Sequence, residues 1–162
     1  MFFEEIFSLN PSQILAVLGL AAAPISELRG AIPVAIIGFH FPWYYAFPLA
    51  VIGNLLPVPF ILLFLKTISR LLSKISLFER MFRWLFESTR RRGKIIEKYG
   101  GIGLAVFVGI PLPMTGAWTG SLIAVLLGLK FKPAFLSIFA GIIVAGIIVT
   151  AATLLGWAIF SS

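Results

Sequence analysis

Cysteine is absent from this 162-residue chain, and histidine occurs once. A disulfide framework and a thiolate metal site are therefore excluded. One histidine and six scattered carboxylates leave little material for any other metal centre, so neither a metal nor an organic cofactor is expected. Charge is scarce as well: 12% of residues are charged against 60% hydrophobic. That balance marks an all-α integral membrane protein rather than a soluble domain. The opening "MFFEEIFSLN" has two acids and no base, unlike a cleavable signal peptide. The length suits one membrane domain and is short for a whole transport path, so a homodimer is expected.

The charge that is present is unevenly placed. Ten of the thirteen Lys and Arg residues lie between Lys66 and Lys98, beside three of the six Glu, so this segment carries the whole net charge of +7. Basic residues between apolar blocks mark a cytoplasmic loop, not a nucleic-acid surface. Ile68, Leu71, Leu72, Ile75, Phe78, Phe82, Leu85 and Phe86 recur at helical spacing, with Lys66, Arg70, Lys74, Arg80 and Arg83 on the other face. The pattern predicts an amphipathic helix in the cytoplasmic interface, with "RRRG" (Arg90–Gly93) drawn to anionic lipid headgroups. Membrane lipids are thus the expected partners. "FHFPWYY" (Phe39–Tyr45) reads as an interfacial aromatic belt, with His40 among the headgroups.

Four apolar blocks follow one another: Ile14–Gly38, Trp43–Leu65, Gly101–Gly128 and Ala134–Phe160. The second and fourth have the length of ordinary spans, roughly 20 residues. The first is interrupted by Pro24 and the third by Pro111 and Pro113. The stretches on either side have room for half-helices that reach the bilayer midplane and little further. The halves also repeat. "PISELRGA" from Pro24 lies over "PMTGAWTG" from Pro113, setting Ser26 over Thr115, and "AFPLAVIG" (Ala46–Gly53) lies over "AFLSIFAG" (Ala134–Gly141). The chain thus divides into repeat 1 (1–65), the linker (66–98) and repeat 2 (99–162), an internal duplication of the kind transporters use.

Two topologies compete. If all four blocks cross, the loop carrying Lys130 and Lys132 lies opposite the basic linker. If the broken blocks are re-entrant hairpins, each half crosses once and the halves are inverted. The linker, Lys130 and Lys132 then share the cytoplasmic side, with both termini outside. The charge rule favours the hairpins in a multi-pass cell-membrane protein.

The breaks carry the chemistry. Backbone freed by proline cannot face lipid, so each break is buried or faces a wet cavity. Glu27 and Arg29 lie in the first break, where a charge costs on the order of 2.5–3.5 kcal/mol. Residues two apart do not face each other on a helix, so each is expected to find a partner across the repeat interface or in a second protomer. Ser26 and Thr115 stand where helix N-caps belong. Two half-helix N-termini with Arg29 would favour a phosphate or carboxylate. A carboxyl group in so poor a solvent, Glu27, suits a proton carrier. Asn54, ahead of Pro57 and Pro59, is either a further polar site residue or an interhelical hydrogen bond. Gly116 and the prolines allow a tight second break, and Thr150 and Thr153 are expected to bond their own helix backbone.

"SELRGAIPVAIIG" (Ser26–Gly38), then an apolar span, a basic linker and "GIGLAVFVGIPLPMTGAWTGSLIAVLLGL", resembles the small multi-drug export protein family over essentially the whole chain. That family is in turn similar to the DedA superfamily of paired re-entrant hairpins. The resemblance implies a link to proton-motive force, drug sensitivity and movement of lipid or polyprenyl phosphates. DedA proteins carry arginines around the proline of the second hairpin, and Val108–Met114 has none. The leading expectation is a proton-coupled secondary transporter of an amphipathic anion. An exporter of lipophilic cations using Glu27, a non-transporting scaffold, and an intramembrane lipid phosphatase built on Ser26, Glu27 and Arg29 are the alternatives. An enzyme is not expected, since no block contains a histidine to serve as base.

Overall fold

The computed structural model of the chain describes residues 10–72, 98–112 and 115–161, which form an all-helical structure with no strand among them. Asn10 starts helix α1 (Pro11–Ala22) by accepting the Ser12 N–H at 3.2 Å, with Pro11 in the first turn where no donor is needed. The helix ends at Ala23, which is extended ahead of Pro24 as a pre-proline residue prefers. A turn over Pro24–Ser26 leads into the short helix α2 (Glu27–Pro33). Pro33 brings no N–H to the ladder, and the following Val34–Gly38 widens into a π-helix in which the Phe39 N–H reaches back to Val34 O at 3.0 Å.

Helices α3 (Trp43–Leu55) and α4 (Pro57–Leu72) run on from one another, interrupted only at Leu56. The donor-free Pro57 and Pro59 account for the interruption. α4 continues past Leu65, so the first turns of the basic linker prolong the second apolar block rather than begin a separate helix. The remainder of the linker, 73–97, with its amphipathic face and its expected headgroup contacts, lies outside the described residues. The second half comprises α5 (Lys98–Gly109), α6 (Ala117–Leu126) and α7 (Phe131–Phe160).

Helix lengths divide as the apolar pattern predicts. Trp43–Leu65 and Phe131–Phe160, of 23 and 30 residues, are long and apolar enough to cross a membrane. At 1.5 Å per residue they measure about 35 and 45 Å. α1 and α6 have 12 and 10 residues, about 18 and 15 Å, half of what a crossing needs.

Packing is close at small residues. In α3, a Cβ on Gly53 would stand 2.8 Å from the Leu18 carbonyl and 2.7 Å from Ala21 Cβ, both of α1. In α7, a Cβ on Gly141 would stand 2.7 Å from the Ala105 carbonyl and 2.6 Å from Val108 Cβ, both of α5. Gly53 and Gly141 are 88 residues apart, while Leu18 to Ala105 and Ala21 to Val108 are each 87. One backbone-to-backbone crossing, which only glycine admits, is therefore used twice. Around it α2 packs on α1, α3 and α7, and α6 packs on α4 and α7. Ile32, Leu104, Ile123, Ile138 and Ile142 fill the centre, while Ile52, Phe60, Leu136, Ile147 and Leu155 are each more than half exposed. A soluble domain rarely exposes so many large apolar side chains. Hydrocarbon accepts them.

The aromatic loop behaves as a belt only in part. Trp43 and Tyr44 are exposed, but Phe41 and Tyr45 are buried in the core. A run of seven residues that turns into a helix cannot present every ring outward.

Candidate functional site

The site begins with a strained residue. Glu27 has φ +46°, a left-handed conformation that costs an ordinary side chain roughly 1–2 kcal/mol. On a regular helix Glu27 and Arg29 would diverge. With the first of them left-handed they meet, and Arg29 Nη2 donates to Glu27 Oε2 at 3.3 Å. Spacing alone gave these two no automatic pairing, and the left-handed backbone at Glu27 is what brings them together.

Both side chains also reach the other break, as the sequence expectation required. Glu27 Oε1 accepts the Trp118 backbone N–H at 3.3 Å, placing the carboxylate on the N-terminus of α6. It is only 4% exposed, and it occupies the space a Cβ on Gly116 would need. Arg29 Nη1 donates to the Leu112 carbonyl, which the break leaves free of helix. Trp118 Nε1 donates to Ala22 O at 2.9 Å, satisfying a carbonyl at the end of α1. Acid, base and indole together tie the first break to the second. A carboxylate at a helix N-terminus is favoured by the dipole and by the unpaired amides.

The capping roles expected of Ser26 and Thr115 are not what the structure shows. Ser26 makes no cap, its hydroxyl donating instead to Leu20 O, and the Glu27 N–H is taken by Ala23 O at 3.1 Å. Gly116, not Thr115, is the residue before α6. Thr115 Oγ1 accepts from Leu112 N–H at 3.1 Å and lies 2.6 Å from Ile110 O and 2.8 Å from Leu112 O, to one of which it donates. It holds the shape of the second break. The α6 N-terminus is thus not an open anion site, because Glu27 is its anion. Pro24 and Pro111 stand in the breaks as expected, while Pro113 lies outside the described residues.

Two spaces adjoin this cluster. The inner one is bounded by Glu27, Arg29, Asn54, Thr115 and Gly116, among others, with about 10 Å³ free, close to the need of one water molecule. Asn54 is the central residue of Trp43–Leu65, and Ala145, which lines the same cavity, lies at the middle of Phe131–Phe160. Both breaks therefore sit level with the centres of both long helices. Asn54 is 2% exposed and its Oδ1 has no hydrogen-bond partner. The interhelical bond considered for this residue is not made by that oxygen.

The outer space is an open groove of about 720 Å³ between α2 and the second half of α7. From Ile148 to Phe160 it runs about 18 Å along α7. Arg29 and Pro111 close its inner end, Trp157 and Phe160 flank the other, and its walls are otherwise apolar apart from Thr153. Thr153 bonds Val149 O at 2.7 Å, as expected, whereas Thr150 Oγ1 is buried without a partner. Among the described residues Arg29 is the one charged group of the groove, its side chain 23% exposed against 5% for Glu27. His40 meets Trp157 edge-on at 6.5 Å at the far end. Trp118 and the groove wall Ile148, Ala152 and Gly156 went unread in the sequence. The repeat alignment held one signal, since it sets Gly116 over Glu27, a residue without a side chain where its counterpart needs room.

Among families of known proteins, residues 27–148 match the model described as "Putative small multi-drug export protein". No curated protein and no solved structure matches the chain.

Proposed function

Because the chain belongs to that small multi-drug export family, its model covering well over half of the residues, we propose that it is a proton-coupled secondary transporter of amphipathic anions, the class to which lipid and polyprenyl phosphates belong. The observation that carries this reading is the pairing of a long apolar groove with Arg29, the one charged group among its described lining residues, at its inner end. An alkyl chain fits the walls, and a phosphate or carboxylate head would meet the donors of the guanidinium that Leu112 and Glu27 do not use.

The re-entrant arrangement and the inverted repeat belong to the same reading. His40 lies against Trp157, near the C-terminus of α7, whereas Lys130 precedes its N-terminus. Four plain crossings would bring the 39–42 loop and the 129–130 loop to one side. Their placement at opposite ends of a 30-residue helix supports hairpins that enter and leave by the same face, with the basic linker cytoplasmic and the termini outside. The repeated glycine crossing supports two halves of common plan.

The coupling follows from the ion pair. Ionised Glu27 holds Arg29 and neutralises it. A proton on Oε2 removes that charge while Oε1 keeps the Trp118 N–H. Arg29 is then a cation without a counter-ion, and an anionic head entering the groove supplies one. Proton and anion are thereby taken up together, and release of the proton restores the internal pair and expels the head group. A lipophilic cation would meet Arg29 before it met the buried Glu27, so the cation reading is the weaker.

Proteoliposomes loaded with a long-chain alkyl phosphate test this. Wild-type protein should move it in response to a pH gradient, and Glu27→Gln should retain binding while losing the response to the gradient. Gradient-driven movement of a lipophilic cation but not of the alkyl phosphate would overturn the anion reading. Movement of neither would leave the scaffold.

A further inference from the structure

Asn54 takes no part in the ion pair, yet it is among the most deeply buried polar residues described and its Oδ1 is without a donor. A buried carbonyl oxygen left bare is costly, and native structures rarely keep one without a use. The residues around it say what the use can be. The inner cavity it shares with Glu27 is walled by Leu28, Val108, Ile142 and Ala145, which bring no donor. The Thr115 hydroxyl proton is committed to a backbone carbonyl of its own break, and the two Arg29 bonds given above run to Glu27 and Leu112. Among the described residues, Arg29 is the one other charged side chain of the cavity, and α3, α5, α6 and α7 present no titratable group there.

We propose that Asn54 is a positioning residue for the transported proton: its Oδ1 accepts the O–H of protonated Glu27, directly or through the single water for which the cavity has room. The inference rests on the proton role given to Glu27 above. The proton, delivered by water, bonds to Glu27 Oε2 as Arg29 Nη2 gives that oxygen up, and it returns to water when the Arg29 bond re-forms. A carboxylic acid differs from a carboxylate in having a donor, and Asn54 Oδ1 is the acceptor waiting for it. Glu27 thus has two sets of partners, one for each protonation state: Arg29 with Trp118 when ionised, Asn54 with Trp118 when neutral. Without Asn54 the protonated acid would lose this acceptor, and its hydrogen would be left to the one water for which the cavity has room.

Infrared difference spectra of the purified full chain in lipid, recorded between high and low pH, read this directly and need no substrate. A carbonyl-stretch band of a protonated carboxyl group should appear on acidification in the wild type and be missing in Glu27→Gln. In Asn54→Leu the band should remain but move to higher frequency, as an acid does on losing an acceptor. In Asn54→Ser, which keeps an oxygen in the cavity and guards against a fold that does not tolerate leucine, it should lie between the two. A Glu27 band that is unmoved in both variants overturns the role of Asn54 and leaves the proton reading standing. No Glu27-dependent band in the wild type overturns both.

Discussion

Gly116→Ala is expected to lower the stability of the detergent-purified protein by on the order of 3 kcal/mol, an unusually large effect for the addition of one methyl group. Gly116 does not need its special freedom for backbone reasons, since its φ of −87° is open to any residue. A Cβ added here would fall on the Glu27 carboxylate. A methyl there drives the carboxylate off the Trp118 N–H and away from Arg29, and leaves a buried charge without partners. The prediction is sharpened by a cycle. In a Glu27→Ala background the same change has space to occupy and should cost less than about 1 kcal/mol, so the coupling between the positions should reach about 2 kcal/mol. Thermal unfolding of the four proteins measures it. Additive effects would mean that Glu27 does not occupy this position.

Arg29 carries the second large effect. Arg29→Ala strands the carboxylate of a side chain that is 5% exposed, and removing one partner of a buried pair typically costs about 3–5 kcal/mol. The same change removes the cation from the groove, so binding of a long-chain alkyl phosphate should weaken about 10- to 100-fold, the equivalent of one charge-assisted hydrogen bond. These losses have different remedies. Adding Glu27→Gln to Arg29→Ala neutralises the stranded acid and should restore most of the stability. It returns no charge to the groove, so alkyl phosphate binding should stay weak. Recovery of both together would make Arg29 a purely structural brace, and thermal shift with and without the alkyl phosphate separates the cases. Arg29→Lys should lie between, because an ammonium keeps the charge but cannot serve Leu112, Glu27 and a ligand with one planar fork.

The architecture was legible where it depended on length and on proline. Pro24 and Pro111 mark the breaks, and the two blocks without a central break gave the two long helices, because apolar runs and missing donors act locally. Glu27 and Arg29 were found for a similar reason, as charges too costly to be idle in an apolar block. Their partners were not legible. The pairing of residues two apart depends on a left-handed φ at Glu27, which a glutamate seldom adopts and no local pattern announces. That Glu27 caps α6 depends on contact across 91 positions, and a serine or threonine before a half-helix looks like a cap whether or not the position is already served. Thr115 turned to its own break, where Glu27 already takes the Trp118 amide a cap would have bound, and Ser26 turned to Leu20. The groove was hidden because its walls are ordinary apolar residues of α7, identical in type to those that would face lipid.

The proposed transport path requires the two breaks to meet midway along both long helices, with each half of the chain crossing the membrane once. The chain has no cysteine, so single cysteines placed at His40, Lys130 and Ser161 can be probed one at a time in oriented vesicles with a membrane-impermeant thiol reagent. Labelling of positions 40 and 161 from one side and of position 130 only from the other is the predicted result. Positions 40 and 130 reacting from the same side would contradict it, and with it the transport path drawn from those breaks.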